Sequence, residues 1–297
     1  MLYDIRQLTD YRYATPVPFA RQVLRLIPVE RPGQRVIAAD LAIRPAPTER
    51  SDSTDFFGNR LTTVAFAFPH RRLTLETRAR VLVEKAEPVT ASATPPFEQV
   101  RRLAVAETDL SGRSPVHFLF ESRLVALDET IAAYVRESFP HGRPILEGAF
   151  DLTRRIKADF AYDPSATDVT TRPAVAFAQK AGVCQDFAHV MIAGLRTLGL
   201  PAAYVSGFLR TEPPPGRPRL EGADATHAWV AVWCGREAGW VGLDPTNGVR
   251  AAEDHVVLAI GRDYCDAAPV DGVIVTSGEH TLDVAVDVVP VGGDEAP

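Results

Sequence analysis

The stretch AGVCQDFAHVMIAGLRTLGLP, residues 181–201, contains a helix start, a helical repeat and a helix stop. Its apolar residues recur at steps of three and four, which predicts an amphipathic helix that ends at Gly199 before Pro201. A lone cysteine, Cys184, lies in the predicted first turn. The positive end of the helix dipole favours a reactive thiolate at such a position. On this stretch alone, Cys184 is either a nucleophile or a small buried residue of the core.

A nucleophilic cysteine needs a base, and two histidines are the nearest candidates. His189 follows Cys184 by five residues, which places it roughly 140° around a helix of 3.6 residues per turn, so it is expected to pack away from the sulfur. The segment THAWVAVW, residues 226–233, alternates like a strand and begins with His227 directly after a polar loop. Catalytic side chains collect where strands meet loops, so His227 is the preferred base.

An acidic residue completes the set. The segment WVGLD, residues 240–244, follows HAWVAVW after the short loop CGREAG, and the two runs predict a β-hairpin. In that hairpin Asp244 lies opposite or diagonal to His227, where a carboxylate can orient an imidazole. The alternatives are an Asp-Pro turn, a strand cap, or a metal site made of Cys184, His227 and Asp244. No closely spaced ligand pair supports the metal site, so we expect neither a metal nor another cofactor.

The first 85 or so residues read as β-structure. The segments RLTTVAFAF, residues 60–68, and LTLETRARVLVE, residues 73–84, alternate apolar and polar residues, and turns formed by FFGNR and FPHRR separate the strands. This pattern predicts an antiparallel β-sandwich or meander. The segment EPVTASATPP, residues 87–96, is poor in bulky apolar residues and is the predicted linker.

The pattern becomes helical from about residue 98 to 160, with Asp128 as the N-cap of one helix. We therefore predict three parts: an N-terminal β-rich domain at 1–90, a linker and helical segment at 91–145, and a catalytic core with a C-terminal strand at 146–297. The tail HTLDVAVDVVP, residues 280–290, alternates like a strand with one wet face and could join either sheet.

Composition excludes several classes of protein. Hydrophobic residues make up 46% and charged residues 24% of the 297 residues, which argues against a disordered or fibrous chain. A formal charge of −6 without basic runs argues against a nucleic-acid partner. The N-terminus lacks the apolar core of a signal peptide and no apolar run approaches the roughly 18 residues of a membrane span, so we expect a cytoplasmic protein without a membrane partner.

Three segments carry a family resemblance. GVCQDFAHVMIAGLRTLGLPAAYVSGFL, DATHAWVAVW and GLDPTNG together resemble the bacterial transglutaminase-like superfamily, whose fold is similar to that of papain-type cysteine proteases. YDIRQLTDYRYATPV and DFFGNRLTTVAFAFPHRRLTLE resemble the β-rich region that precedes this core in many members. The resemblance implies that Cys184 is the nucleophile, His227 the general base and acid, and Asp244 the orienting carboxylate. It also implies an upstream oxyanion side chain, for which Tyr162 and, less directly, Gln179 are the candidates; surface or packing roles are their alternatives.

The fold implied is α+β: a papain-like core, in which the helix bearing Cys184 packs on an antiparallel sheet, preceded by the N-terminal β-rich domain. The activity implied is thiol-dependent acyl transfer or hydrolysis at amide bonds of a peptide or protein, through a thioester. A non-catalytic interaction module and a metal-dependent amidase are the competing classes. The proline-rich loop at 210–226 is expected to rim the active site. The oligomeric state is left open.

Overall fold

The computed structural model describes residues 1–85, 87, 89–211, 222 and 224–292. Most of the loop at 210–226, namely residues 212–221 and 223, lies outside the described residues, so its place at the rim of the active site stays a prediction. Pro88 of the predicted linker also lies outside them.

The N-terminal part is built from strands, as its alternating sequence predicts. Val64, Phe66, Leu73 and Leu75 are all buried, so the apolar face of each alternation turns inward. Residues that repeat every second position can bury one whole face only as strands, which is why this segment forms no helix. The strands are β1 (Leu2–Val17), β2 (Phe19–Leu24), β3 (Gln34–Arg44), β4 (Glu49–Thr54), β5 (Arg60–Phe66) and β6 (His70–Val83).

Helices follow the β-rich part. The side chain of Asp128 accepts hydrogen bonds from the backbone N–H groups of Thr130 and Ile131, at 2.8 and 2.9 Å, which confirms the predicted N-cap. Two very short strands pair in parallel just before the helix that carries the cysteine. The elements are α1 (Phe97–Val105), α2 (Glu129–Arg136), α3 (Ile145–Asp159), β7 (Ala161–Tyr162), α4 (Pro173–Gln179), β8 (Ala181–Gly182) and α5 (Cys184–Thr197).

An antiparallel sheet forms the floor under α5. Its strands lie in the order β12-β11-β10-β9-β13, and α5 packs on β9 and β10 through one apolar cluster. The chain ends in a short helix and two further strands. The remaining elements are β9 (Ala202–Leu209), β10 (Ala225–Trp233), β11 (Trp240–Asp244), β12 (Val249–Arg250), β13 (His255–Gly261), α6 (Tyr264–Ala267), β14 (Val270–Val275) and β15 (His280–Pro290).

The helix α5 is buried on every side, which corrects the prediction of an amphipathic helix. Every residue from Gln185 to Arg196 is buried. The reason is that α2, α3 and α4 cover the face that points away from the sheet. The buried polar side chains of α5 therefore need partners inside the protein, and Gln185, Asp186 and Arg196 have them.

The C-terminal strands return to the N-terminal part of the chain. The strand β14 pairs with β2, and β15 pairs with β1 along eleven residues, from Tyr3 opposite Pro290 to Tyr13 opposite His280. The two resulting sheets, β15-β1-β6-β3 and β14-β2-β5-β4, face each other as a sandwich. The tail whose sheet the sequence left open thus completes the N-terminal sandwich.

The sandwich also contacts the sheet under α5. An apolar cluster joins β1, β6 and β15 to β9 and β13. Two buried side-chain amides pair with the backbone of β13: Gln34 with Val257, and Asn59 with Ile260. In the part of the chain that the structure describes, β13 is the last strand of its sheet, so these amides satisfy backbone groups that a further strand would otherwise bind.

Among the helices of the described ranges, none is both long enough and apolar enough to cross a bilayer.

Arg196 provides a test of how α5 is held. Its guanidinium donates to the backbone oxygens of Ala202 at 2.8 and 3.1 Å and of Phe120 at 3.2 Å, and also to that of Arg262. We expect Arg196→Lys to lower the free energy of unfolding by about 3 kcal/mol, because one ammonium cannot serve these separate acceptors. Urea unfolding checks this, with the exposed Arg21→Lys as a control expected to change nothing; equal midpoints for both variants would contradict it.

Candidate active site

Cys184 is the first residue of α5, as predicted, and the turn before it is fixed by a buried carboxylate. Oδ2 of Asp186 accepts hydrogen bonds from the backbone N–H of Val183 at 2.8 Å and from the hydroxyl of Thr167 at 2.6 Å. Gly182 has a φ of +154°, and a Cβ there would lie 2.5 Å from Asp186 Oδ2. Glycine is therefore required for the chain to enter the helix this closely, and the sulfur is left partly exposed.

His227 lies on β10 and interacts with both other members of the predicted triad. Its Nε2 is 2.8 Å from Oδ2 of Asp244, and Cys184 lies near enough to raise the pKa of its imidazole. The register of the hairpin pairs Val230 with Leu243, so Asp244 is diagonal to His227, as predicted. Because β10 and β11 are hydrogen-bonded neighbours in one sheet, the imidazole and carboxylate are held on a rigid element.

Asp244 is completely buried and accepts several hydrogen bonds. Oδ1 accepts from the backbone N–H groups of Thr246 at 2.9 Å and Asn247 at 3.1 Å. Oδ2 accepts from His227, from the Asn247 amide at 2.7 Å, and from His255 Nε2 at 3.2 Å. Burial alone would raise the pKa of Asp244, but the hydrogen bonds, above all that of His227, lower it far below its usual range. Asp244 is thus an anion at neutral pH.

His227 is correspondingly basic. Burial alone would lower the pKa of its imidazole, but the hydrogen bonds to Asp244 and Cys184 and their charges raise that pKa to about 9. At neutral pH the imidazolium is therefore favoured, with its Nε2 at the carboxylate of Asp244. This arrangement can transfer a proton to and from a group bound at Cys184.

Two residues of the site were not predicted from the sequence. Asn247 stands in the segment GLDPTNG, but the sequence gives it no predicted role. His255 begins the apolar strand HVVLAIG after a polar turn, which is the same pattern that singled out His227. That pattern could have marked His255 as well, but nothing in the sequence places it near Asp244, from which it is separated by a turn and β12.

A metal ion has one possible set of ligands among the described residues. The ligand atoms of His227, Asp244 and His255 all lie within 4.8 Å of one another. The hydrogen bonds account for this closeness: both imidazoles approach the same carboxylate oxygen, at 2.8 and 3.2 Å. A metal at this place would have to displace these hydrogen bonds, so the geometry favours the hydrogen-bonded triad.

His189 lies where helix geometry predicts, in the protein interior. It is completely buried, its Nε2 accepts a hydrogen bond from the backbone N–H of Tyr264 at 3.1 Å, and its ring packs against Tyr204. Burial lowers the pKa of His189 to about 4, so this ring stays neutral. It therefore has a packing role within α5.

The two candidate oxyanion residues occupy different surroundings. Tyr162 lies on β7, opposite Gly182 of β8, with its ring against Phe187. Burial and the charge of Cys184 raise the pKa of Tyr162, whose side chain is exposed. Gln179 is the last residue of α4 and is exposed.

The other cysteines lie in different environments. Cys234 is buried, and burial raises the pKa of its thiol to about 12. Burial and the nearby charge of Asp263 also raise the pKa of Cys265. Neither environment favours a thiolate, whereas Cys184 has His227 beside it.

Comparison with known proteins agrees with the fold and the order of these elements. Residues 3–82 match the bacterial transglutaminase-like N-terminal region, and residues 131–245 match the transglutaminase-like superfamily. An uncharacterized protein of Mycobacterium tuberculosis (strain ATCC 25618 / H37Rv) is 38% identical over 299 residues, which cover 98% of this chain and 94% of that protein.

Two further proteins share parts of this architecture. A protein-glutamine gamma-glutamyltransferase of Pseudomonas aeruginosa is 35% identical over 109 residues, 36% of this chain and 16% of that one. The crystal structure of a candidate cysteine protease from Cytophaga hutchinsonii superimposes with a TM-score of 0.74 at 20% identity, covering 99% of this chain and 93% of the other. With its papain-like core and its N-terminal sandwich, the chain belongs to the bacterial transglutaminase-like superfamily.

Proposed function

We propose that the protein catalyses thiol-dependent acyl transfer or hydrolysis at amide bonds of peptides or proteins, with Cys184 as nucleophile, His227 as general base and acid, and Asp244 as orienting carboxylate. The observation that supports the proposal is the position of His227, whose Nε2 is 2.8 Å from Oδ2 of Asp244 and whose pKa is also raised by the nearby Cys184. The three residues come from α5, β10 and β11, so no local packing requirement explains their meeting.

The acylation step follows from this arrangement. The sulfur of Cys184 attacks the carbonyl carbon of an amide, and the carbonyl oxygen takes up the negative charge of the tetrahedral intermediate. The imidazolium of His227 gives its proton to the amide nitrogen, the C–N bond breaks, and an amine or ammonia leaves. A thioester on Cys184 and a neutral imidazole remain.

The deacylation step uses the same residues in reverse. Neutral His227 takes a proton from water or from a primary amine as that nucleophile attacks the thioester carbon. The C–S bond then breaks and the thiolate is restored beside the imidazolium. Water yields hydrolysis and an amine yields transamidation, so the acceptor that reaches the thioester decides the outcome.

The negative oxygen of the intermediate needs hydrogen-bond donors. We assign this role to backbone N–H groups in the first turn of α5, where the helix dipole adds positive potential. Tyr162 is our side-chain candidate, because it lies on β7 opposite Gly182, two residues before Cys184. Gln179 is the weaker candidate, since it is exposed at the end of α4.

A metal-dependent amidase is the second candidate function, supported by the closeness of His227, Asp244 and His255. A chelator separates the two: activity that survives chelation and is lost on alkylation of Cys184 supports the thiol mechanism. If the protein is instead a non-catalytic interaction module, Cys184 and the partly exposed Cys265 should be alkylated at equal rates.

The cytoplasmic location, the absence of a cofactor, and independence from nucleic acid and membrane stay predictions.

The products of a peptide library identify the reaction. We expect the wild-type protein to change the masses of a subset of glutamine-containing or extended peptides, and Cys184→Ala to change none. Loss of ammonia with incorporation of an added primary amine means transamidation, while chain cleavage means peptidase activity. Mass spectrometry with and without the amine checks this, and identical results for the wild type and Cys184→Ala would refute the proposal.

Substitutions in the triad should differ in severity. Cys184→Ala removes the nucleophile and should abolish turnover. His227→Ala should lower kcat by about 10²–10⁴-fold, because proton transfer occurs in both steps. Asp244→Asn keeps the shape but removes the charge, so a large but incomplete loss of kcat is expected, together with slower alkylation of Cys184. Steady-state kinetics on a peptide found in the library measures all three.

His189→Gln is the matched control for these substitutions, because it lies on the same helix as Cys184 but faces the interior. Its effect should be confined to the free energy of unfolding, since Nε2 of His189 is bonded to a backbone N–H group. A folded His189→Gln protein without activity, beside an active His227→Ala protein, would show that the base has been misassigned.

The protonation of His227 can be measured without a substrate. A positive imidazolium attracts the carboxylate of iodoacetate, so the ratio of the iodoacetate rate to the iodoacetamide rate at Cys184 reports its charge. The ratio should fall with a midpoint at about pH 9, where His227 loses its proton. In Asp244→Asn the midpoint should move to lower pH, because the hydrogen bond and charge that raise the pKa are lost.

The same protonation affects stability. The pKa of His227 is higher in the folded state than the roughly 6.5 of a free imidazole, so its contribution to stability is complete below about pH 6.5 and is lost as the pH rises through about 9. Urea midpoints of the wild type and His227→Gln should therefore converge above pH 9. A rate ratio that titrates near 6.5, with urea midpoints that stay apart, would contradict the assignment.

A further inference from the structure

His255 is fixed as a hydrogen-bond donor to the carboxylate of the site. Its Nδ1 accepts a hydrogen bond from the backbone N–H of Ala252 at 3.3 Å, so the proton of the neutral ring lies on Nε2. Nε2 is 3.2 Å from Oδ2 of Asp244, the oxygen that also accepts from His227. His255 thus acts on the oxygen that orients the base.

Packing holds both imidazoles against one indole. The ring of Trp229 makes an edge contact with His255, with centroids 5.1 Å apart, and a stacked contact with His227, with centroids 6.1 Å apart. Gly207 on the neighbouring strand makes room for the indole, since a Cβ there would lie 2.5 Å from it and 2.1 Å from the oxygen of Val256. The position of His255 is therefore determined together with that of His227.

The backbone under His255 is held by the N-terminal sandwich. Gln34 of β3 is buried, its Oε1 accepts from the backbone N–H of Val257 at 2.7 Å, and its Nε2 donates to the oxygen of Val257 at 2.8 Å. The same Nε2 donates to the oxygen of Val29 at 2.8 Å. Val257 is two residues from His255 on β13. The amide of Gln34 therefore fixes the backbone of β13 close to His255.

We propose that His255 is a positioning residue for Asp244, and that the N-terminal sandwich, through Gln34, holds it in place. The sandwich then helps to position the triad in addition to covering the core. This proposal rests on the proposed function, since it assumes that Asp244 orients His227 for proton transfer at Cys184.

Two substitutions at His255 test the donor. His255→Phe keeps the size of the ring and removes the donor, and a cavity of about 500 Å³ beside it can accommodate the ring. We expect the midpoint of the iodoacetate to iodoacetamide rate ratio at Cys184 to fall by about one pH unit, because Asp244 is less well oriented toward His227. His255→Gln keeps an N–H group near the Nε2 position and should restore the midpoint to that of the wild type.

Asn59 provides a matched control for Gln34, because both side-chain amides bind the backbone of β13. Asn59 is also a buried amide of the sandwich, and it binds the backbone of Ile260 at 2.8 and 2.7 Å, but five residues from His255. Gln34→Met and Asn59→Leu should both lower the urea midpoint, because each leaves buried backbone groups unpaired. Only Gln34→Met should also lower the pH midpoint of the rate ratio.

Each of the following outcomes tests one part of the proposal. Every measurement uses the full chain. A wild-type protein whose rate ratio does not change with pH overturns the proposed function. A wild-type midpoint near pH 9 with the same midpoint in folded His255→Phe overturns the role of His255 alone. Equal pH midpoints for Gln34→Met and Asn59→Leu overturn the role of the sandwich. Should Gln34→Met fail to fold, Gln34→Asn replaces it, since it keeps the amide and shortens its reach.

Discussion

The buried carboxylate of Asp244 is the constraint on which the site depends. A buried charge is costly unless it is fully hydrogen-bonded, and Asp244 meets this need with backbone N–H groups, the Asn247 amide and two imidazoles. Each donor must come from a fixed place, so the turn after β11, the start of β10 and the start of β13 are all specified at once. The same charge raises the pKa of His227, which joins the stability of the site to its chemistry.

The position of Cys184 also requires polar groups to be buried. A helix N-terminus must be brought to the end of a sheet, and α5 achieves this by lying between β9 and β10 on one side and α2, α3 and α4 on the other. Polar groups are buried as a result. The carboxylate of Asp186 accepts a hydrogen bond from the backbone N–H of Val183, and the guanidinium of Arg196 donates to the backbone oxygen of Ala202. The helix is thereby held at both ends.

The N-terminal sandwich is joined to the core by hydrogen bonds to backbone groups. These groups would bind water if the two parts were separate domains. Gln34 and Asn59 occupy the outer side of β13, and β15 returns from the far end of the chain to pair with β1. Near His227, the backbone N–H of Asp224 donates to Val286 of the same returning strand. Strand edges left open favour unwanted pairing, so the sandwich protects the sheet under α5 as well as supporting it.

The sequence by itself determined the elements whose pattern is local. The strand period of residues 60–84, the cap at Asp128, the start of α5 at Cys184 and the β10–β11 hairpin all follow from short-range spacing, as does the diagonal position of Asp244. Only the tertiary structure decided the burial of α5 on every side, the sheet that β15 joins, and the contacts of Gln34 with Val257 and of His255 with Asp244. These contacts depend on which surfaces pack together, because burial leaves the polar groups no water to bind, a condition that no local pattern records.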